Sequence, residues 1–196
     1  MDTMLLHACC PLCACGTIEQ LKSMFDITVY YYNPNIHPKT EYEKRRDDSK
    51  IHCKKMGIRF IAGPYEQDTT QWHTLMRGLE YEPEGGKRCL KCFTMRLAQV
   101  ARYAAEHGFD VFGTTLTIGR QKKAEIINTL GAVLAKKYFV RFFEADFKKN
   151  NGEMKACQIA KQENLYRQYY CGCIYSKQER DRQNEQLQRR TDANSA

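Results

Sequence analysis

The sequence predicts an α/β protein built on a mostly parallel, doubly wound sheet. Short apolar, β-branched or aromatic runs recur along the chain, charged stretches of helical length separate them, and turn-forming residues stand at most junctions. Strands that alternate with helices make parallel sheets, because a parallel connection needs a crossover.

The first strand is read over residues 3–7, where Met4, Leu5 and Leu6 form the apolar run of a buried strand. Residues 16–24 read as a helix, since Ile18, Leu21 and Met24 recur about once per turn. Residues 27–32 are β-branched and aromatic and read as the second strand. Asn33-Pro34-Asn35 ends it, because proline brings no N–H to a central ladder. A charged helix over 40–56 stops at Gly57, and a third strand over 58–62 is closed by Gly63-Pro64. A helix over 68–79 takes Asp68 as its cap. The loop Glu82-Pro83-Glu84-Gly85-Gly86 delivers Cys89 and Cys92 ahead of a helix over 93–107, which Gly108 ends. Residues 109–115 and 138–144 read as strands, and 121–137 and 151–163 as helices. Beyond Ser176 the chain is polar. Residues 1–176 therefore read as a single α/β catalytic domain, and 177–196 as a polar C-terminal helix or tail.

Composition narrows the function. The 196 residues suit one domain with a sizeable core. No apolar run reaches the roughly 18 residues of a membrane span. The opening MDTMLLHACC lacks the basic stretch and long apolar region of a secretion signal, so a cytoplasmic location is expected. The net charge of +8, from 31 Lys+Arg against 23 Asp+Glu, favours a polyanionic partner as much as it favours general solubility. Ten cysteines in a chain with no sign of export point to metal binding or redox chemistry rather than to a disulfide framework.

The cysteines fall into clusters. Cys9, Cys10, Cys13 and Cys15 follow the first strand, where free N–H groups of a strand-to-helix turn favour thiolate. Cys89 and Cys92 form a CxxC unit whose spacing lets both sulfurs face one metal. With Cys9 and Cys10 they make four thiolates, which suit either tetrahedral zinc or a [4Fe–4S] cluster. Cys171-Gly172-Cys173 suits a chelating pair or a strained, easily reduced disulfide. Cys53 and Cys157 stand alone on helices and read as packing residues, Trp72 reads as core, and His52 and His107 as surface or satisfied core histidines.

The ordered set of motifs resembles the QueH-type epoxyqueuosine reductases over about residues 3–180. It comprises CCxxC after the first strand, Tyr32-Asn33-Pro34-Asn35-Ile36-His37-Pro38 with Glu41-Tyr42, Arg88-Cys89-Leu90-Lys91-Cys92-Phe93 with Arg96-Leu97, Thr114-Thr115-Leu116-Thr117, and residues 167–176 around Cys171 and Cys173. The resemblance implies a HUP-like three-layer sandwich with a helical cysteine-bearing insert. It implies reduction of epoxyqueuosine to queuosine at the tRNA wobble position, the last step of queuosine biosynthesis. It further implies a [4Fe–4S] cluster on Cys9, Cys10, Cys89 and Cys92. Cys171 and Cys173 would be a redox pair or, with Cys13, ligands of an additional mononuclear iron. Its partners would be tRNA and an external ferredoxin- or flavodoxin-like electron donor, with no membrane. Two positions depart from the family pattern: Pro11-Leu12 stands where the family usually reads Ala-Pro, and Ile118-Gly119 where it often has Ser-Pro.

Tyr32, His37 and Tyr170 are candidate proton donors, and Lys39, Arg45, Arg46, Lys87, Arg88, Arg120, Lys122 and Lys123 candidate phosphate contacts. A tRNA-thiolating enzyme of the same fold is one rival, although cysteines occupy the place of its glycine-rich phosphate loop. A non-catalytic zinc protein that binds RNA is the other. A radical enzyme of the CxxxCxxC type is excluded by the absence of that run.

Overall fold

The computed structural model describes residues 1–194. Five parallel strands form one sheet in the order β3–β2–β1–β4–β5. They are β1 (Asp2–His7), β2 (Phe25–Tyr31), β3 (Arg59–Ala62), β4 (Val111–Thr114) and β5 (Arg141–Phe142). The helices are α1 (Pro11–Leu21), α2 (Lys39–Lys55), α3 (Glu66–Met76), α4 (Lys87–Glu106), α5 (Ala124–Tyr138), α6 (Gly152–Gln162) and α7 (Ile174–Asn194), with a 3-10 turn at Thr115–Ile118.

β1 is the central strand. Met4 to His7 are buried without interruption, as a strand covered on both faces requires. One helical layer groups α1 with α2 and α6, and the other groups α4 with α3 and α5. Gly16 lets α1 and α6 approach closely, since a Cβ there would lie 2.4 Å from Cβ of Ala156. The winding reverses between β1 and β4, so the crevice beyond their carboxyl ends is a topological switch point, where open α/β sheets bind ligands. No described helix is long and apolar enough to cross a membrane.

Strand positions agree with the sequence reading, but several boundaries move. α1 begins at Pro11 rather than residue 16, because proline is preorganised for a first helical position and the Cys10 sulfur caps the turn. α4 begins at Lys87 rather than residue 93, so Cys89 and Cys92 ride on its first turns instead of in a loop. Asp68 does not cap α3. Its carboxylate accepts the Tyr32 hydroxyl at 2.6 Å instead, and the helix starts at Glu66. β5 is confined to Arg141–Phe142, because α5 runs on through Tyr138 and Phe139 adopts a left-handed conformation after it. The polar tail is helical from Ile174 to Asn194, beginning before residue 177; residues 195–196 lie outside the described residues.

Candidate active site

The site is assembled from the switch point outward. β1 ends at His7, and the chain turns at once through Cys9 and Cys10 into α1. Sγ of Cys10 accepts the Cys13 N–H at 3.2 Å, the bond a serine would make as an N-cap. This local geometry gathers the sulfurs of Cys9, Cys10 and Cys13 within 4.8 Å of one another, all buried. Cys15, on the same helix, points elsewhere. Its thiol donates to the carbonyls of Leu12 at 3.2 Å and Ala156 at 3.6 Å, and burial pushes it up to about 12, so it serves packing.

Cys89, Cys92 and Arg96 recur on one face of α4. The Gly85 N–H donates to Sγ of Cys89 at 3.2 Å. Cys92 packs with Trp72, Met76 and Cys173. Since Cys92 lies on α4 and Cys173 just before α7, this second set of thiols draws on both segments. Cys89 and Cys92 do not join the compact trio of Cys9, Cys10 and Cys13. All ten cysteines are free thiols.

Three cations link the two sets. Arg96 is 1% exposed and carries charge facing Cys92, Cys9 and Cys171. Its guanidinium donates to Oδ1 of Asn33 at 2.7 Å, while its Nε has no hydrogen-bond partner. Lys122 faces Cys171, Cys9 and Cys13, and these thiols raise its pKa. Arg45, 0% exposed, faces Cys10 and Cys9. Buried charges are stable only when compensated. Glu41 pairs with Arg45 at 2.7 Å, and the thiols are the groups that face Arg96 and Lys122. Accordingly Cys9 is held well below the usual thiol range, first by hydrogen bonds from the Cys10 and Cys13 thiols and then, against burial, by Arg96 and Lys122. Cys10 is pushed up to about 12 by burial, and Cys13 is raised by donating to its two neighbours. Cys89 rises to about 11 and Cys173 to about 12, both chiefly by burial.

Below the thiols lies a buried polar layer. His7 Nε2 stands 3.1 Å from the carbonyl of Tyr32, so it carries the proton and donates. Nδ1 then accepts the hydroxyl of Thr114 at 2.9 Å. Burial, then the Arg96 charge, lowers His7 to about 3 and keeps it neutral. Asn33 donates to the Ala8 carbonyl at 2.9 Å, which ties the end of β2 to the cysteine turn.

Several proposed phosphate contacts take other roles. Arg45 and Arg88 are buried: Arg88 donates to the carbonyls of Leu79, Glu80 and Glu82, and Arg45 to those of Tyr170 and Cys171. Arg46 pairs with Asp47 at 2.8 Å, and Lys39 and Arg120 pair with Glu66 and Glu153. Lys87 and Lys123 stay exposed. Among the proposed proton donors, Tyr32 is bonded to Asp68 and Tyr170 to the His37 carbonyl, and burial raises both phenols. Trp72 is core, as read. Cys53 is buried and pushed up to about 12, consistent with packing. His52 is buried with neither ring nitrogen hydrogen-bonded, so it is not a satisfied core histidine.

Residues 4–179 match the family model described as epoxyqueuosine reductase QueH. A Haemophilus influenzae protein named epoxyqueuosine reductase QueH is 42% identical over 177 residues, covering 89% of this chain and 71% of that one. A Thermotoga maritima protein of the same name is 33% identical over 191 residues, covering 97% of this chain and 98% of that one. Among solved structures, the U34-tRNA thiolase NcsA of Methanococcus maripaludis, determined with its [4Fe–4S] cluster, superposes with a TM-score of 0.55 at 13% identity. That match covers 89% of this chain and 61% of that one. It is a likeness of fold, in keeping with the HUP-like sandwich.

Proposed function

The chain belongs to the epoxyqueuosine reductase QueH family, and on that premise we propose that it removes the epoxide oxygen of epoxyqueuosine at the tRNA wobble position with a thiolate-held [4Fe–4S] cluster. The observation that carries the reading is the convergence of Arg45, Arg96 and Lys122 on the cysteines. Arg96 and Lys122 turned toward the thiols, with Arg45 shared between Glu41 and the cysteine corner, fit a group that keeps those thiols ionised, and soft sulfur donors fit iron–sulfur or zinc. Cys9, Cys10, Cys89 and Cys92 would hold the cluster, with Cys13, Cys171 and Cys173 beside it as a redox dithiol or as ligands of a separate iron. The trio of Cys9, Cys10 and Cys13 favours an iron-ligand role for Cys13.

The bound cluster would supply electrons one at a time to a reaction that consumes two electrons and two protons and yields water. The chain's own part is electrostatic and positional. Arg96 and Lys122 would offset the charge added on reduction. Burial of the thiols excludes water from the centre. Lys87 and Lys123 remain free on the surface to meet phosphate. The base would have to be presented from a single-stranded anticodon loop, as RNA readers commonly require.

Anaerobically purified protein is expected to be brown, to hold iron with acid-labile sulfide, and to convert epoxyqueuosine tRNA when given a ferredoxin- or flavodoxin-like donor. Colourless protein with stoichiometric zinc and no sulfide would instead identify a zinc-binding RNA protein.

A further inference from the structure

We infer that Arg45 is the positioning residue that sets the Cys171-Gly172-Cys173 turn against the Cys9–Cys10 corner, and that it grips the turn by its main chain rather than by its thiols. Each nitrogen of the guanidinium donates one hydrogen bond. Nε donates to Oε1 of Glu41 at 2.7 Å, one terminal nitrogen to the Cys171 carbonyl at 3.0 Å, and the other to the Tyr170 carbonyl at 3.1 Å. A lysine could not serve three acceptors in these directions.

The grip is one element of a clamp along α2. Glu41, Arg45 and Asp48 recur at helical spacing on one face. Glu41 accepts the Tyr166 hydroxyl at 2.9 Å, and Asp48 accepts the Tyr166 N–H at 2.7 Å. The Gly172 carbonyl accepts the His37 N–H at 2.8 Å. Gly172 has φ +126, a left-handed conformation that suits glycine, and a Cβ there would sit 2.9 Å from Ile36 and 3.1 Å from the Arg45 guanidinium. Docked in this way, the segment delivers Gln168, whose amide nitrogen donates to Sγ of Cys10 at 3.0 Å. Arg45 also faces Cys10 and Cys9 with its charge. One side chain thus registers the late cysteines against the early ones. None of these links uses the sulfur of Cys171 or Cys173. Without the guanidinium, the carbonyls of Tyr170 and Cys171 would lose its hydrogen bonds and Glu41 would keep only Tyr166, and the segment would lift to find water.

The inference rests on the reading of Cys171 and Cys173 as reactive, so its test does not require turnover. Anaerobically purified full-length protein is treated with iodoacetamide under native conditions, and each cysteine is followed by mass spectrometry. Arg45→Met and Arg45→Lys should label Cys171 and Cys173 about tenfold faster than the parent. Tyr166→Phe should do so to a smaller extent. Cys15 and Cys53, held by packing elsewhere, should keep their parent rates. Equal acceleration at Cys15 and Cys53 would mean general loosening, and unchanged labelling of Cys171 and Cys173 would mean no grip; either overturns the inference. If Arg45→Met fails to fold, Arg45→Lys and Tyr166→Phe carry the test. Selective labelling in a protein without tRNA turnover would keep the clamp and remove the proposed reaction. Turnover with uniform labelling would do the reverse.

Discussion

Cys9, Cys10 and Cys13 come from a single strand-to-helix turn, whereas Cys89, Cys92, Cys171 and Cys173 come from two segments far apart in the chain. The first set is fixed locally: Pro11 starts the helix, and the Cys10 sulfur both caps it and faces its neighbours. The second depends on docking, with α4 presenting one pair and the segment held by Arg45 presenting the other. Local geometry tolerates distant change, while docked geometry inherits every weakness of the contacts that dock it. The two sets should therefore fail in different ways.

The largest effect should come from breaking the local set. Cys10→Ala removes a proposed ligand and the cap of α1 together. It should give protein without iron or sulfide, no detectable turnover, and an additional loss of about 1 kcal/mol from the missing cap. Cys10→Ser should restore the cap without the metal, which separates the two losses. Retained iron and sulfide in both variants would remove Cys10 from the ligand set.

Arg96 joins the two sets, and Arg96→Met should weaken both. It leaves Asn33 without its donor and Cys9 and Cys92 without a buried cation. Denaturant unfolding should show a loss of about 3 kcal/mol. A change below about 0.5 kcal/mol would mean that the guanidinium is not compensating buried charge.

Gly172→Ala should disturb the docked set most. The strained backbone and the clash with Ile36 should cost about 2 kcal/mol, lower turnover, and raise the reactivity of Cys171 and Cys173 more than that of Cys9, Cys10 and Cys13. An unaltered turnover rate would show that the turn adapts freely.

The smallest effect is acid sensitivity that belongs to the scaffold. His52 is buried, and burial lowers its pKa from 6.5. Below pH 6.5 the unfolded chain takes a proton that the folded chain refuses, so this group's contribution to stability falls as pH falls. His7 acts in the same sense between 6.5 and about 3. Thermal melts of His52→Leu should show a shallower decline across that range than the parent, and equal slopes would acquit His52.

How far the sequence was legible follows the same division. β1 and β2 were readable because unbroken apolar or aromatic runs admit few alternatives. The resemblance and the cysteine spacing brought out the thiols, but not their partition. The trio of Cys9, Cys10 and Cys13 depends on a sulfur acting as a helix cap, a role the usual Ser, Thr, Asp and Asn preferences do not announce. Arg45 and Arg88 resembled surface cations because charge in a sequence carries no record of burial; the carbonyls they bind come from the chain's path. Arg96 was within reach. An arginine one turn beyond Cys92 lies on the same helical face, and that spacing alone marks it as a neighbour of the thiols.

The late arrival of the segment held by Arg45 has a consequence for biogenesis. Chains fold from the amino end as they leave the ribosome. The turn bearing Cys9, Cys10 and Cys13 closes on local contacts and emerges early. Cys171 and Cys173 emerge long after β5 has been made. If the proposed ligand set holds, a nascent chain presents it incomplete during much of its synthesis, exposed to any thiophilic ion or oxidant nearby. On the proposed ligand set, assembly of a metal centre would be bound to chain completion, since a chain that stops between residues 142 and 171 would have all five strands but lack Cys171 and Cys173.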